Sequence, residues 1–256
     1  MSTREYGMLL IGGKMNWSIH DYETKIKELI QKFESKEEYI FYTSGTTGEP
    51  KKIIHNYEVI KQVAEEQVFK QNLTKDSIIF SIIPPTTVGL SCLSVLPALI
   101  SKCTYIQKKF NPHTYWNDIL TYKPTHHFFL PEIFSTLSPN KKYKNIDLSF
   151  MECSMTGSNK PPKGIKQSLL NKGVKKFIHM YGSTEVPPSV AFGENEEYLN
   201  NFSDKFEHKI IDGEWVIKWN AQKDWWYSGD VVEHCNDGIK ILNRKKPSSK
   251  QKRIIK

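Results

Sequence analysis

The sequence predicts an α/β fold in which a mainly parallel sheet with flanking helices is joined to a small, mostly antiparallel β subdomain. Apolar strands alternate with helical segments between residues 39 and 181, which is typical of a parallel sheet. Residues 209–219 are rich in β-forming residues on both sides of Asp212-Gly213, a dipeptide favoured in tight hairpin turns. We therefore expect an α/β core over residues 1–193, a β-rich subdomain over 194–244 and a basic tail over 245–256.

The composition is that of a globular protein. With 256 residues, of which 38% are hydrophobic and 25% charged, the chain can bury a substantial core. No apolar run approaches the ~20 residues that span a bilayer, and the first 14 residues lack the apolar region of a signal peptide. The four cysteines are widely spaced, which favours reduced thiols over a disulfide framework or a structural zinc site. We expect a cytoplasmic protein without a membrane span.

The net charge of +8 is concentrated at one end of the chain. Residues 244–256 hold seven basic residues and no acidic one, so the rest of the protein is nearly neutral. A solvated tail is favoured over a segment that contacts RNA, an anionic membrane or an acidic partner. Since no motif of a nucleic-acid-binding module is present elsewhere, nucleic acid is not an expected partner.

The first elements are a predicted helix over residues 21–33, with an apolar face and Asp21 as its N-cap, and a predicted strand over 39–42. A loop of small and hydroxyl residues follows, and then a predicted helix over 59–69. A strand, a glycine-containing loop and a helix are suited to binding phosphate, because the backbone can approach a ligand closely. Lys51 adds a positive charge. The loop is not a Walker A motif, since Pro50 stands where that motif would have its second glycine. Its candidate phosphate-binding residues are Thr43, Ser44, Gly45, Thr46, Thr47 and Gly48.

The next segments continue the alternation of strands and helices. Strands are predicted over residues 77–83, 103–106 and 124–131, with helices over 91–100 and 112–120 between them. His126 and His127 are adjacent on the third of these strands, so they point to opposite faces. One core and one surface histidine are therefore favoured over a shared metal ion.

The last strands of the core each end in a polar turn. The predicted strand 147–154 leads to Gly157, Ser158 and Asn159, and the predicted strand 176–180 leads to residues 181–185, Tyr-Gly-Ser-Thr-Glu. Beyond the hairpin at Asp212-Gly213, a turn precedes Asp230 and a further strand is predicted over 238–244.

These motifs together resemble the adenylate-forming superfamily, which includes acyl-CoA synthetases, adenylation domains of nonribosomal peptide synthetases and luciferases. Residues 43–51 are similar to the family's Thr-Ser-Gly-Thr-Thr-Gly-x-Pro-Lys loop, and residues 181–185 to its Tyr-Gly-x-Thr-Glu signature. Residues 226–230 resemble its Tyr-x-Thr-Gly-Asp element, with Ser228 in place of threonine, and Arg244 stands at its ribose-contacting arginine. The four clusters occur in the family's order over about four-fifths of the chain.

The resemblance implies the large-domain fold of that superfamily, shortened at the N-terminus and lacking the C-terminal mobile domain with its lysine. It implies ATP-dependent activation of a small carboxylic acid to an acyl-AMP, followed by transfer to a thiol of CoA or of a carrier protein. ATP and Mg²⁺ are the implied cofactors. An acyl carrier protein, or a separate protein that supplies the missing domain, is an implied partner.

The resemblance also assigns residue roles. Thr184, Glu185 and Lys51 would be catalytic, with Glu185 holding the metal. Asp230 and Arg244 would contact the ribose, and Gly182 and Ser183 would help to bind ATP. Tyr181 would stack on adenine, beside the turn of Gly157, Ser158 and Asn159. The acyl pocket would be lined by Thr87, Val88, Gly89 and His127.

Two departures from the family narrow the class of acid that we expect as the substrate. Thr87 stands where relatives have a histidine or an aromatic residue, and no aspartate nearby could hold a substrate amine, which disfavours an amino acid. A catalytically impaired protein that binds nucleotide or acyl-adenylate is the alternative function, and a piece of a longer sequence is a third interpretation.

Overall fold

The computed structural model contains, in the part of the chain that it describes, two sheets and a separate two-stranded hairpin. The described residues are 8–10, 19–43, 51–84, 87–188, 190–220, 225–235, 238–245 and 254–255. In chain order the strands are β1 (Met8–Leu10), β2 (Tyr39–Thr43), β3 (Lys51–His55), β4 (Ile78–Ser81), β5 (Thr104–Gln107), β6 (His126–Phe129), β7 (Cys153–Thr156), β8 (Lys176–Tyr181), β9 (Ala191–Gly193), β10 (Asn201–Phe202), β11 (Phe206–Ile211), β12 (Glu214–Trp219), β13 (Trp225–Cys235), β14 (Gly238–Arg244) and β15 (Ile254–Ile255).

Helical segments lie between β1 and β2 and between consecutive strands from β3 to β8. They are α1 (Ile19–Glu34), α2 (Tyr57–Gln71), α3 (Val88–Leu90), a π-helical segment (Ser91–Val95), α4 (Leu96–Ser101), α5 (Tyr115–Tyr122), α6 (Pro131–Leu137), α7 (Lys141–Lys144) and α8 (Ile165–Leu170). None of the described helices is both long and apolar enough to cross a bilayer.

The main sheet has eight strands in the order β1-β5-β4-β6-β7-β8-β9-β10. Neighbours from β1 to β8 are parallel, and β9 and β10 are antiparallel. Helices α1, α3 and α4 pack on one face with Ile79, whereas α5 to α8 pack on the other with Phe80. This alternation along β4 is what a strand buried on both sides requires. The predicted α/β architecture is confirmed.

Both adjacent histidines of β6 are buried, so the prediction of one surface histidine is wrong. His126 contacts the carbonyl oxygen of Gln71 at the end of α2 (2.9 Å), and His127 contacts the hydroxyl of Tyr115 on α5 (2.8 Å). Each is 2% exposed. They do point to opposite faces, but helices cover both faces of this central strand. Neither side chain therefore reaches solvent.

The helix after β4 widens before a proline. Pro97 has no N–H to donate to the carbonyl of Leu93, and the turn at Ser91–Val95 is π-helical. Gln71 Nε2 donates to that carbonyl instead (3.1 Å). A buried glutamine of α2 thus satisfies an acceptor that the proline leaves without its helical partner.

The strand predicted over residues 147–154 begins later than expected. The structure has β7 at Cys153–Thr156, and a turn at residues 149–150 precedes it. The N–H of Ser149 donates to Asp147 Oδ1 (2.9 Å), a local bond that competes with extended backbone.

The second sheet is antiparallel, as the predicted fold class expects, and runs from β11 to β15, whereas β10 pairs in the main sheet. Strands β11 to β14 pair in sequence order, and β15 adds to β13. Asp212 and Gly213 both have left-handed backbones (φ 49° and 73°), as a tight hairpin turn requires. Within the range predicted as a basic tail, Ile254–Ile255 pair with Trp225 and Trp226 through the backbone.

Candidate functional site

The glycine- and threonine-rich loop connects two antiparallel strands. Thr43 and Lys51 are opposite each other at the loop end of the β2–β3 hairpin, and α2 begins only after β3. The prediction that the loop leads directly into a helix is therefore wrong, because the β-branched residues Ile53 and Ile54 extend the chain as a strand first. The other predicted phosphate-binding residues lie between Thr43 and Lys51, outside the described residues. They are Ser44, Gly45, Thr46, Thr47 and Gly48.

Residues 182–186 form a compact turn at the carboxyl end of β8. The N–H of Ser183 donates to the carbonyl of Val186 (2.9 Å), and Ser183 Oγ accepts from the N–H groups of Glu185 and Val186 (both 3.2 Å). Gly182 has no room for a side chain, since a Cβ there would lie 2.2 Å from Pro188 Cα. Thr184 and Glu185 are half-buried on this turn.

His55 links the hairpin to that turn. Its Nε2 is 2.7 Å from the carbonyl oxygen of Thr184, and since a carbonyl can only accept, Nε2 carries the proton. Burial lowers the pKa of His55, against the opposing effects of this bond and of the Glu185 charge. The bond therefore anchors the end of β3 that is farther from Lys51 to the turn that carries Thr184 and Glu185. Sequence reasoning missed His55 because its partner lies 129 residues away.

Three predicted nucleotide-binding residues meet between the two sheets. Tyr181 ends β8, and its hydroxyl donates to Asp230 Oδ2 (2.5 Å) on β13. Asp230 is opposite Arg244 in the β13–β14 ladder, with Arg244 Nε 3.9 Å from Asp230 Oδ1. Arg244 is largely exposed, whereas Asp230 is only 8% exposed. The structure thus brings together an aromatic ring, a carboxylate and a guanidinium.

The pKa of the Tyr181 hydroxyl is raised by its surroundings. Burial, and after it the negative charge of Asp230, raise the pKa of the Tyr181 hydroxyl well above its usual value. Tyr181 therefore remains a donor to Asp230. Its ring lies 4.5 Å from that of Trp215 on β12, which holds the aromatic plane in place.

The turn after β7 lies beside the same strand end. A Cβ at Gly157 would be 2.9 Å from the carbonyl oxygen of Met180, so β7 and β8 approach closely there. Ser158 has a left-handed backbone (φ 75°), and the Asn159 side chain donates to Glu132 at the start of α6. These residues are adjacent to the strand that carries Tyr181.

The predicted acyl-pocket residues are not all together. Thr87 and Gly89 lie half-buried at the start of α3, where Thr87 Oγ1 accepts from the N–H of Leu90 (3.1 Å). Val88 packs in the core near the hairpin. His127 lies within an aromatic cluster with Phe80 and Tyr115. Burial lowers its pKa to about 3, so it is neutral near pH 7.

A divalent cation would find one predicted carboxylate here, that of Glu185. The described residues contain no group of three or more histidine, cysteine, aspartate or glutamate side chains arranged for a metal. A single carboxylate is compatible with Mg²⁺, which proteins often hold through one or two carboxylates together with substrate phosphates. It is not compatible with a structural zinc site, which needs four protein ligands.

A family model described as AMP-binding enzyme matches residues 12–207 of the chain. The indoleacetate–CoA ligase of Aromatoleum aromaticum is 27% identical over 154 residues, which cover 60% of this chain and 30% of the ligase. The crotonobetaine/carnitine–CoA ligase of Proteus mirabilis is 27% identical over 152 residues, covering 57% and 28% respectively. The chain thus spans less than a third of the length of these relatives.

Solved structures share the fold. McyG A-PCP complexed with phenylalanyl-adenylate matches with a TM-score of 0.72 and 17% identity, covering 81% of this chain and 47% of that one. The o-succinylbenzoate CoA synthetase of Bacillus subtilis, in complex with ATP and magnesium, matches with a TM-score of 0.68 and 20% identity over 80% and 49%. The chain therefore covers about half of either structure.

Proposed function

Because the chain belongs to the AMP-binding enzyme family, we propose that it binds ATP and takes part in activating a small carboxylic acid as its acyl-adenylate. The observation that carries this proposal is the convergence of Tyr181, Asp230 and Arg244 beside the turn of residues 182–186. A mostly buried carboxylate next to a guanidinium is suited to accept hydrogen bonds from a ribose diol. Tyr181 would border the base, and so would Gly157, which lies close to β8.

The proposed reaction needs positioning more than covalent participation by the protein. An oxygen of the substrate carboxylate attacks the α-phosphorus of ATP, the bond from that phosphorus to the pyrophosphate oxygen breaks, and acyl-AMP and pyrophosphate result. Both reactants are anions, so catalysis depends on holding them in line and offsetting charge. Lys51 and the loop from Thr43 would face the phosphates. The bond from His55 to Thr184 joins β3, the strand that begins at Lys51, to the turn that carries Glu185.

Mg²⁺, when bound, would neutralise phosphate charge, and Glu185 is the residue that would hold it. The N–H bond from Glu185 to Ser183 Oγ orients the backbone of this residue within the turn. The carboxylate is half-buried rather than fully enclosed, which leaves it accessible to a nucleotide-bound cation.

We further propose that the acid carries no amine and that the acceptor thiol is that of CoA, with a carrier-protein thiol as the alternative. No acidic residue occurs between Thr87 and Ser101, the segment proposed to border the acyl group. Curated relatives named as CoA ligases support CoA as the acceptor.

The test is a pyrophosphate-exchange panel with fatty, aryl and amino acids, run on the 256-residue chain. Acid-dependent exchange with the non-amino acids is the expected result. Binding of ATP without exchange would favour the alternative, a protein that binds nucleotide or acyl-adenylate, or one that needs a separate protein for catalytic groups. Failure to bind ATP would refute the proposal.

Replacing Asp230 by asparagine is expected to weaken ATP binding by roughly 1.5–3 kcal/mol, the usual value of a hydrogen bond to a charged group. The side-chain shape is retained, but the negative charge beside Arg244 is lost. Isothermal calorimetry measures the change. Glu152→Gln, which removes an exposed charge paired with Lys175, is the matched control and should bind ATP as the wild type does. Equal affinity of Asp230→Asn and wild type would place the ribose elsewhere.

Replacing Glu185 by glutamine is expected to raise the Mg²⁺ concentration that gives half-maximal pyrophosphate exchange by roughly tenfold. This factor corresponds to a loss of ~1.4 kcal/mol in Mg²⁺ binding. Binding of ATP without Mg²⁺ should be unaffected. A magnesium titration of exchange rate measures this, with Glu194→Gln, an exposed partner of Lys176, as the control. An unchanged Mg²⁺ requirement would exclude Glu185 as the metal ligand.

A further inference from the structure

Glu214, at the start of β12, is a buried carboxylate whose two oxygens bind two different segments. Its side chain is 3% exposed. Oε1 accepts from the N–H of Gly229 (2.8 Å), and Oε2 accepts from Lys245 Nζ (3.0 Å). The N–H of Lys245 also donates directly to the carbonyl of Gly229 (2.7 Å). Gly229 and Lys245 are therefore joined twice, once through the backbone and once through Glu214.

These two partners are the immediate neighbours of proposed ribose-binding residues. Gly229 precedes Asp230 on β13, and Lys245 follows Arg244 at the end of β14. Asp230 and Arg244 are themselves opposite each other in the ladder. The Glu214 carboxylate binds the residue next to each of them, and so it restrains both.

The regular ladder is interrupted on both sides of this point. The β12–β13 register shifts between Glu214 and Val216, and the β13–β14 register shifts between Val231 and Val232. Irregularities of this kind loosen backbone pairing and re-aim side chains. Gly229 adds a left-handed backbone (φ 77°). Backbone pairing alone therefore constrains Asp230 less than it would in a regular strand, and side-chain bonds must contribute.

We propose that Glu214 is a positioning residue that sets the placement of Asp230 relative to Arg244 and thereby the affinity for ATP; this rests on the proposed function. A buried carboxylate is costly unless it is paired and hydrogen-bonded, and here both partners lie beside the proposed ribose site. An apolar residue could fill the same volume but could not bind Gly229 and Lys245 together. The role of Glu214 is to hold other residues, and it does not itself touch the nucleotide.

The experiment compares Glu214→Gln, Lys245→Gln and Lys245→Arg with the wild type. Glu214→Gln keeps an acceptor for Gly229 but loses the attraction to Lys245, so ATP should bind about 10- to 100-fold more weakly. The KM for ATP should rise while kcat at saturating ATP stays within about twofold of wild type. Lys245→Arg retains the cation and should bind ATP nearly as the wild type does. Glu214→Gln and Lys245→Gln combined should weaken binding little more than Glu214→Gln alone, because the two act through one contact.

Glu207→Gln is the matched control. Glu207 forms an ion pair with Lys218 (2.7 Å) across β11 and β12 of the same sheet, but more than half of its side chain is exposed. This variant should leave ATP binding unchanged. Binding is measured well below each variant's melting temperature, so that a mere loss of stability does not change the dissociation constant.

Amide hydrogen exchange without nucleotide separates failure of this proposal from failure of the proposed function. Glu214→Gln should accelerate exchange at Gly229 and Lys245 and leave β6 and β7 unchanged. Unaltered exchange at both amides, or wild-type ATP affinity in Glu214→Gln, would overturn the positioning role. If the wild type binds no ATP, the proposed function fails, and the exchange rates alone then decide whether Glu214 holds Asp230 and Arg244 in place.

Discussion

Replacing Gly182 by alanine is expected to weaken ATP binding strongly and to destabilise the protein. An added Cβ would lie 2.2 Å from Pro188 Cα and 2.9 Å from Pro188 N, and both are backbone atoms that cannot rotate away. The turn must therefore move as a unit, and Thr184 and Glu185 move with it. Overpacking of this kind costs about 1–3 kcal/mol in stability, and more where backbone is involved. We expect the ATP dissociation constant to rise at least ~100-fold, equivalent to ~2.8 kcal/mol.

Thermal melting and calorimetry on the same samples test this expectation. Gly164→Ala is a suitable control, because Gly164 has a left-handed backbone (φ 82°) but open space around its Cβ position. It should lower the melting temperature without changing ATP affinity. If Gly182→Ala bound ATP as tightly as Gly164→Ala, residues 182–186 could not be part of the nucleotide site.

Acidification is expected to destabilise the fold strongly between pH 6.5 and pH 4. Burial lowers the pKa of His127 to about 3 and that of His179 to about 4, and it also lowers the pKa values of His55 and His126. Each group then has a lower pKa folded than unfolded, so the unfolded chain binds more protons below pH 6.5. The stabilisation by neutral histidine is fully present above pH 6.5 and is lost as the pH falls toward the folded values. For His127 and His179 the loss is on the order of 3–5 kcal/mol each.

Urea unfolding at pH 7.5, 6.0 and 5.0 measures how the free energy of unfolding changes with pH. His127→Gln, which can still bond to Tyr115, should show a pH dependence shallower by about one proton. His113→Gln, at an exposed position, should retain the wild-type slope. A wild-type free energy of unfolding that is constant from pH 7.5 to 5.0 would contradict the burial of these histidines.

Local patterns predicted much of this fold. Turn chemistry at Asp212-Gly213, the apolar strands of the main sheet and the helical face of residues 21–33 are encoded within short windows, and all three elements are present. The β3 strand was missed because five residues with two lysines become a strand only by pairing with β2. The second buried histidine of β6 was missed because coverage by helices on both faces is a property of the whole sheet.

In the candidate site, too, some residues could be predicted from local patterns and others could not. Tyr181, Asp230 and Arg244 could be named from motifs, since each stands in a recognisable string. The contacts of His55 and Glu214 could not be predicted, because their partners lie 129 and 31 residues away. A histidine after Ile53-Ile54 has no local feature that distinguishes it from a surface residue.

The order of strands in the main sheet also defines a topological switch point. From β4 the chain moves to β5 on one side, and then crosses to β6 on the other side of β4. The connections that leave the carboxyl ends of β4 and β6 therefore diverge, which makes this pair the topological switch point of the sheet. In open α/β sheets, ligands bind in the crevice at that point. Of the two proposed acyl-pocket residues, Thr87 belongs to the segment that leaves β4 at this switch point, whereas His127 lies inside β6.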